Sequence, residues 1–227
     1  MLGRGMTVIG LLLLAGCAHD PLAGAEIYPG LVEAEAPEGE LKPVLFSAEE
    51  APAHQSLLYV AMYDAAVAGQ NAGLAQAAAS LEEVKTKVGE VLYAIDPELA
   101  PAWPAKTTGI VQLWDGTSYG LRRAVGRMIE EIRAALEEGT ASAALRMNGP
   151  RAIRCAENTL ERAERTVALA QSVLAAGLDT ELEPILRDLE EVATALNDGV
   201  PSPDDEGCGL QHAYLYLRQI GVDVAEG

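Results

Sequence analysis

The chain has 227 residues, 34 of them acidic and 16 basic, for a formal charge of -18, and its 49% hydrophobic content is enough for one domain with a real core. Such an acidic excess excludes nucleic acid and anionic lipid headgroups as partners, since both need a cationic surface. Phe46 is the sole phenylalanine in a chain rich in alanine and leucine, a mixture that suits close helix packing rather than a sheet interior.

Residues 1–20 read MLGRGMTVIGLLLLAGCAHD, with one basic side chain, Arg4, an apolar run from Thr7 to Leu14, and small residues at Ala15 and Gly16. This is the layout of a secretory signal peptide, its apolar stretch too short to span a bilayer comfortably. Leu14, Ala15, Gly16 and Cys17 resemble the lipobox of bacterial lipoproteins at all four positions. The resemblance implies cleavage before Cys17, a diacylglyceryl thioether on its sulfur and acylation of the new amino terminus. Two or three acyl chains, at about 0.8 kcal/mol per buried methylene, anchor a protein almost permanently. The resemblance is confined to this leader, so it gives an address and no family for the mature domain. Ala18 stands where an aspartate would retain many lipoproteins at the inner membrane. The expected location is therefore the cell envelope, lipid-anchored in an outer membrane and facing the periplasm. Losing residues 1–16, whose only charged residue is Arg4, deepens the formal charge from -18 to -19.

Residues 17–46 read as the lipidated cysteine and a proline-rich acidic tether, with prolines at 21, 29, 37 and 43 that block long regular elements. Within it Glu26–Tyr28 and Pro43–Phe46 are short patches able to dock. Residues 47–227 are expected to form a single all-α domain. Ser47 and Glu50 have capping-box spacing, predicting a helix over 48–79 with Leu58, Met62, Ala65 and Gly69 inward. Gly69 and Gly73 weaken that helix, inviting a kink between them, and admit a close neighbour. Ser80 and Glu83 repeat the capping spacing before a helix bearing Val84, Val88, Val91, Leu92 and Ile95, which Asp96-Pro97 ends.

The stretch 97–120 holds Pro97, Pro101, Pro104 and both tryptophans; excursions of this length are functional or packed as a lid. Beyond Ser118, the spacing of Leu121, Val125, Met128, Ile129, Ile132 and Leu136 marks a helix ending at Gly139. Pro150 suits the first turn of a helix carrying Ile153, Ala156, Leu160, Ala163, Val167, Ala170 and Leu174 inward, with a glycine C-cap at Gly177. A further helix is expected from Thr180, with Leu182, Ile185, Leu189, Val192 and Leu196 inward, and a short one from Leu210 to Ile220. Four long helices and one or two shorter ones most economically make a helical bundle, with connectivity open.

Cys155 and Cys208 remain once Cys17 is lipidated. An oxidising compartment makes a structural disulfide between them natural, with free buried thiols as the alternative; the closely spaced, thioredoxin-like setting of a redox pair is absent. His19, His54 and His212 are isolated from one another, and the chain has neither HExxH nor CxxCH; no metal or cofactor is expected. Glu157 and Glu161 share a face amid Arg151, Arg154, Arg162 and Arg165, the pattern of a solvated, ion-paired helix. No Glu-x-x-His of the di-iron bundles occurs, and no catalytic residues are expected. Asp64, in a nearly uncharged helix, is a candidate to pair with Lys85 or Lys87 or to contact a ligand.

Trp103, Trp114 and Tyr119 are the candidate contacts for a ligand or partner, or else they cover the end of the bundle. The leading expectation is a non-enzymatic envelope lipoprotein that presents an acidic helical domain to a protein partner or a second copy. The alternative is a helical-bundle carrier or sensor of a small ligand or metal, with the 97–120 loop at the pocket mouth.

Overall fold

The computed structural model describes residues 41–45, 48, 49, 51, 55–100, 119–202 and 205–225. They form seven α-helices: α1 (Lys42–Leu45), α2 (Leu57–Gln76), α3 (Leu81–Ile95), α4 (Leu121–Glu137), α5 (Ala143–Ala175), α6 (Glu183–Asp198) and α7 (Leu210–Ala225). Among the described residues there is no strand, and the helices pack as the bundle that the periodicity predicts. Both α2 and α5 pack on α3, α4 and α6, so those three lie between them, while α7 packs along α5 and also touches α6 and α2, and α1 rests on α2 and α4.

α2 is the hub. Leu57, Leu58, Val60, Met62, Ala65, Val67, Ala68, Ala72 and Ala75 are all at most 2% exposed. A helix apolar on nearly every side belongs inside a bundle, so the expected single inward stripe is instead an almost continuous buried surface. The helix begins at Leu57, not at Ala48: Ser56 accepts a hydrogen bond from the Tyr59 amide at 3.1 Å and is the N-cap. Pro52, which has no N–H to give, falls inside the helix expected from 48. Ala48 and Ala51 are buried in a turn, the Ala48 amide donating to the Gln55 carbonyl. Ser47 and Glu50 lie outside the described residues.

Helix α2 runs unbroken through Gly69 and Gly73 to Gln76. Both glycines face α6: a β-carbon at Gly69 would stand 3.5 Å from Thr194 Cα, and one at Gly73 would stand 3.2 Å from Glu190 Oε1. The small residues therefore serve helix approach, as expected, and produce no break.

In α3, Ser80 accepts from the Glu83 amide at 3.2 Å, while Glu83 reaches back to the Ala79 amide at 3.1 Å, one residue before the partner a capping box would use. Every residue from Val88 to Ile95 is buried, so this shorter helix belongs to the core. The helix ends at Ile95, with Asp96 as C-cap before Pro97, as the sequence predicts.

α5 corrects the sequence reading at both ends. It starts at Ala143, where Ser142 accepts from the Leu145 amide, so Pro150 lies in the helix interior at an exposed position. Leu145, Asn148 and Ala152 continue one buried face across the proline, and that packing holds the helix through the lost hydrogen bond. At the other end Gly177 has no left-handed conformation. Instead Lys85 of α3 donates to the Ala176 carbonyl at 2.7 Å, a cation closing the negative end of a helix. Between Ala152 and Ala170 the fully buried face of α5 is made of small residues, Ala152, Cys155, Ala156, Thr159, Ala163, Thr166 and Ala170, while Ile153, Leu160, Val167 and Leu174 flank it half-buried. The small central line brings the neighbouring helices close, and the larger side chains fill the margins.

α6 is one-sided as expected, with Leu186, Leu189, Val192 and Leu196 inward and Ile185 half-buried, and α7 extends to Ala225. At the amino-terminal end, Leu41, Val44 and Leu45 are buried in the core. The Pro43–Phe46 patch of the expected tether thus docks on the bundle through its described residues.

Candidate functional site

Three places bring chemistry-bearing residues together. The first is the neck of the 97–120 excursion. Gly120 has φ of 84° and ψ of 139°, a conformation that glycine alone adopts readily, and a β-carbon there would stand 2.6 Å from Pro97 Cδ. Asp96 accepts from the Glu98 amide at 3.1 Å, capping the short turn Pro97–Leu99, and its other oxygen pairs with Arg122 at 3.1 Å. The two ends of the excursion therefore touch. Tyr119 is 2% exposed, with the Arg123 guanidinium 4.6 Å above its ring; it is part of the bundle's interior at the neck. Trp103 and Trp114 lie outside the described residues, as do His19, His54 and Cys17.

Asp64 is fully buried in α2. The two lysines proposed for it are engaged elsewhere: Lys85 on the Ala176 carbonyl, and Lys87 with Glu90 at 3.0 Å. Asp64 and Tyr119 are thus interior residues, and neither lies on an open surface.

The second place is the clamp on the segment entering α7. Cys155 and Cys208 form a disulfide with a Cα–Cα distance of 5.0 Å. One helical turn along α5, Asn158 donates to the Glu206 carbonyl at 3.0 Å, and Arg162 donates to the carbonyls of Cys208 and Gly207 at 2.7 and 2.9 Å. Burial lowers the pKa of Arg162 from its ordinary value, and the Glu161 carboxylate opposes that shift. Gly199, with φ of 74° and ψ of -169°, occupies a region essentially restricted to glycine. A β-carbon at Gly209 would stand 2.6 Å from the Asn197 carbonyl, so the chain crosses itself here backbone to backbone.

The sequence pattern puts Arg162 in a solvated ion-pair network, and the Gly199, Gly207 and Gly209 cluster was the available signal for a tight crossing. The expected Glu157–Arg lacing is also redirected: Glu157 pairs with Arg133 of α4 at 2.6 Å, and Arg151 stacks 4.1 Å from the Tyr216 ring. His212 is exposed and accepts at Nδ1 from the Gly209 amide at 3.3 Å.

The third place is a groove that the sequence did not announce. Because α7 follows the clamp back along α5, its middle turns lie against the first two turns of α5. Between them opens a cavity of about 590 Å³ lined by Ala143, Ala144, Met147 and Asn148 from α5 and by Leu215, Arg218 and Gln219 from α7. Met147 is 70% exposed and Leu215 52%. Asn148 is 5% exposed as a residue, with its carboxamide open to the groove and making no hydrogen bond among the described residues.

Among the described residues no three His, Cys, Asp or Glu side chains converge as a metal site, and no helix is long and apolar enough to cross a membrane. No protein-family model, curated protein or solved structure matches the chain.

Proposed function

We propose that the protein is a lipid-anchored component of the bacterial cell envelope whose acidic helical bundle works by binding, not by catalysis. The observation that carries this reading is the unbroken match of Leu14, Ala15, Gly16 and Cys17 to a lipobox behind a short apolar leader. Its support in the fold is the docking of Leu41, Val44 and Leu45 on the bundle. That contact leaves 23 residues between Cys17 and Leu41, a reach of at most about 80 Å from the lipid surface. An acidic domain held at that distance meets periplasmic proteins while its charge keeps it off anionic headgroups.

The test is metabolic labelling with a radioactive fatty acid, followed by membrane fractionation. The expected outcome is label on the chain and sedimentation with the outer membrane, both abolished by Cys17→Ser. An unlabelled chain, or one whose fractionation ignores Cys17→Ser, overturns the proposal. A second reading, small-ligand binding, is favoured by the α5–α7 groove and is independent of the anchor.

A further inference from the structure

We propose that the groove between the first two turns of α5 and the middle turns of α7 binds an amphiphilic carboxylate, a molecule with an apolar tail and a single carboxylate head. Its volume, about 590 Å³, falls inside the range of about 300–1,000 Å³ typical of small-molecule sites. The walls divide chemically. Met147 and Leu215, two of the few large apolar side chains left mostly in water among the described residues, stand on facing helices with the methyls of Ala143 and Ala144 beside them. The thioether of Met147 has three rotatable bonds and moulds to tails of differing shape.

Among the described residues, the polar part of the lining offers donors and no carboxylate. Arg218 is exposed and has no ion-pair partner among the described residues. Its planar fork matches a carboxylate in two parallel hydrogen bonds. The amides of Ala143 and Ala144 precede the Leu145 amide that Ser142 caps. They have no intrahelical acceptor and lie at the positive end of the helix dipole.

A helix N-terminus alone is only an opportunity, and Asn148 makes it a site. Its side chain is more than nine-tenths buried, lines the groove, and has no hydrogen bond among the described residues. A largely buried amide that makes no hydrogen bond to the protein is left to water or to a partner arriving from the cavity. Two oxygens of one carboxylate can accept from Arg218 and Asn148 together, with Gln219 as a further donor at the rim, while the tail lies over Met147 and Leu215. The apolar tail gives affinity through buried area, and the head fixes its direction along the groove.

The test uses residues 17–227 with Cys17→Ser, which retains every described residue and avoids detergent. Besides Met1 and Met6, the chain has Met62, Met128 and Met147. Labelling the methionine methyls with carbon-13 therefore gives one reporter in the groove and two, at 1% and 0% exposure, in the core. Dispersed Met62 and Met128 signals verify the fold of each variant. Titration with octanoate should move the Met147 methyl saturably and leave the other two in place. Octan-1-ol, with the same tail and no charge, should bind about tenfold more weakly, as should octanoate to Arg218→Gln. Asn148→Asp, which keeps the shape and replaces the donor with a carboxylate, should weaken octanoate by a similar or larger factor. The proposal is overturned by a Met147 response that does not saturate, by all three methyls moving together, by equal affinity for the alcohol, or by affinity unchanged in either variant.

Discussion

Arg162 holds two successive carbonyls, those of Gly207 and Cys208, with one guanidinium. The Val200 amide also donates to the Gly207 oxygen, so truncation of Arg162 costs chiefly the Cys208 carbonyl, in a residue 2% exposed. An orphaned buried acceptor costs roughly 1–3 kcal/mol and a charge-assisted bond is stronger than a neutral one, so Arg162→Ala should lose about 2–3 kcal/mol. Arg162→Lys should recover about half, because a point charge lacks the fork. Urea unfolding with the disulfide intact measures both. A loss below about 0.5 kcal/mol would show that the disulfide alone holds the segment. Nothing in the spacing of Arg162 distinguished it from Arg151, Arg154 and Arg165: the partners are backbone atoms some 45 residues away, and backbone partners leave no mark in a side-chain pattern. Asn148 was silent for a related reason, since a buried amide without a partner reads in sequence as an ordinary polar residue.

At the scale of elements, the contact between α2 and α6 depends on the absence of side chains. The β-carbon of an alanine at Gly69 would stand in ordinary van der Waals contact with Thr194, and alanine gains up to about 1 kcal/mol of helix propensity over glycine. Gly69→Ala should therefore stabilise by about 0.5–1 kcal/mol, whereas Gly69→Leu should destabilise by about 1–3 kcal/mol through overpacking against α6. Thermal unfolding of the two variants reads the sign directly; stabilisation by leucine would place α6 farther from α2 than described. The long helices were legible where periodicity and a cap agreed, as at Ser80, Glu83 and Asp96-Pro97. The misplaced ends share a cause. The helix predicted from Ala48 ignored Pro52, the one predicted from Pro150 gave that proline too much weight, and the C-cap at Gly177 lost to Lys85, whose approach from another helix is a tertiary fact. The side of α5 that is most buried was misread because small residues at its centre carry little hydrophobic signal, while Ile153, Leu160, Val167 and Leu174 at its margins carry much.

For the whole molecule, charge sets the balance. A formal -18 on one compact body repels itself, and the described ion pairs, such as Arg133 with Glu157 and Arg127 with Glu130 and Glu131, are largely exposed and individually worth little. Raising ionic strength from about 0.01 M to about 0.15 M shortens the screening length from about 30 Å to about 8 Å. The thermal midpoint should rise by about 3–6 °C as self-repulsion is screened. A midpoint that falls with salt would mean that the exposed pairs outweigh the repulsion. The all-helical class was legible from composition and period alone, because an alanine- and leucine-rich chain with one phenylalanine has few other ways to fill a core. The groove was not: it arises where the start of one helix meets the middle of another distant in sequence, and its apolar members had the same spacing as core residues.

The meeting of Pro97 with Gly120, locked by Asp96 and Arg122, has an evolutionary consequence. The bundle closes its circuit at that neck, so the two ends, Ala100 and Tyr119, need no long span to join them. Replacing residues 101–118 by a short glycine-serine bridge should leave the unfolding free energy within about 1 kcal/mol of the parent, since the closure entropy of a flexible loop varies slowly with its length. Both tryptophans would go with it. If the frame survives, the segment is a module that selection can rewrite; if the bundle collapses, the tryptophans belong to its foundation.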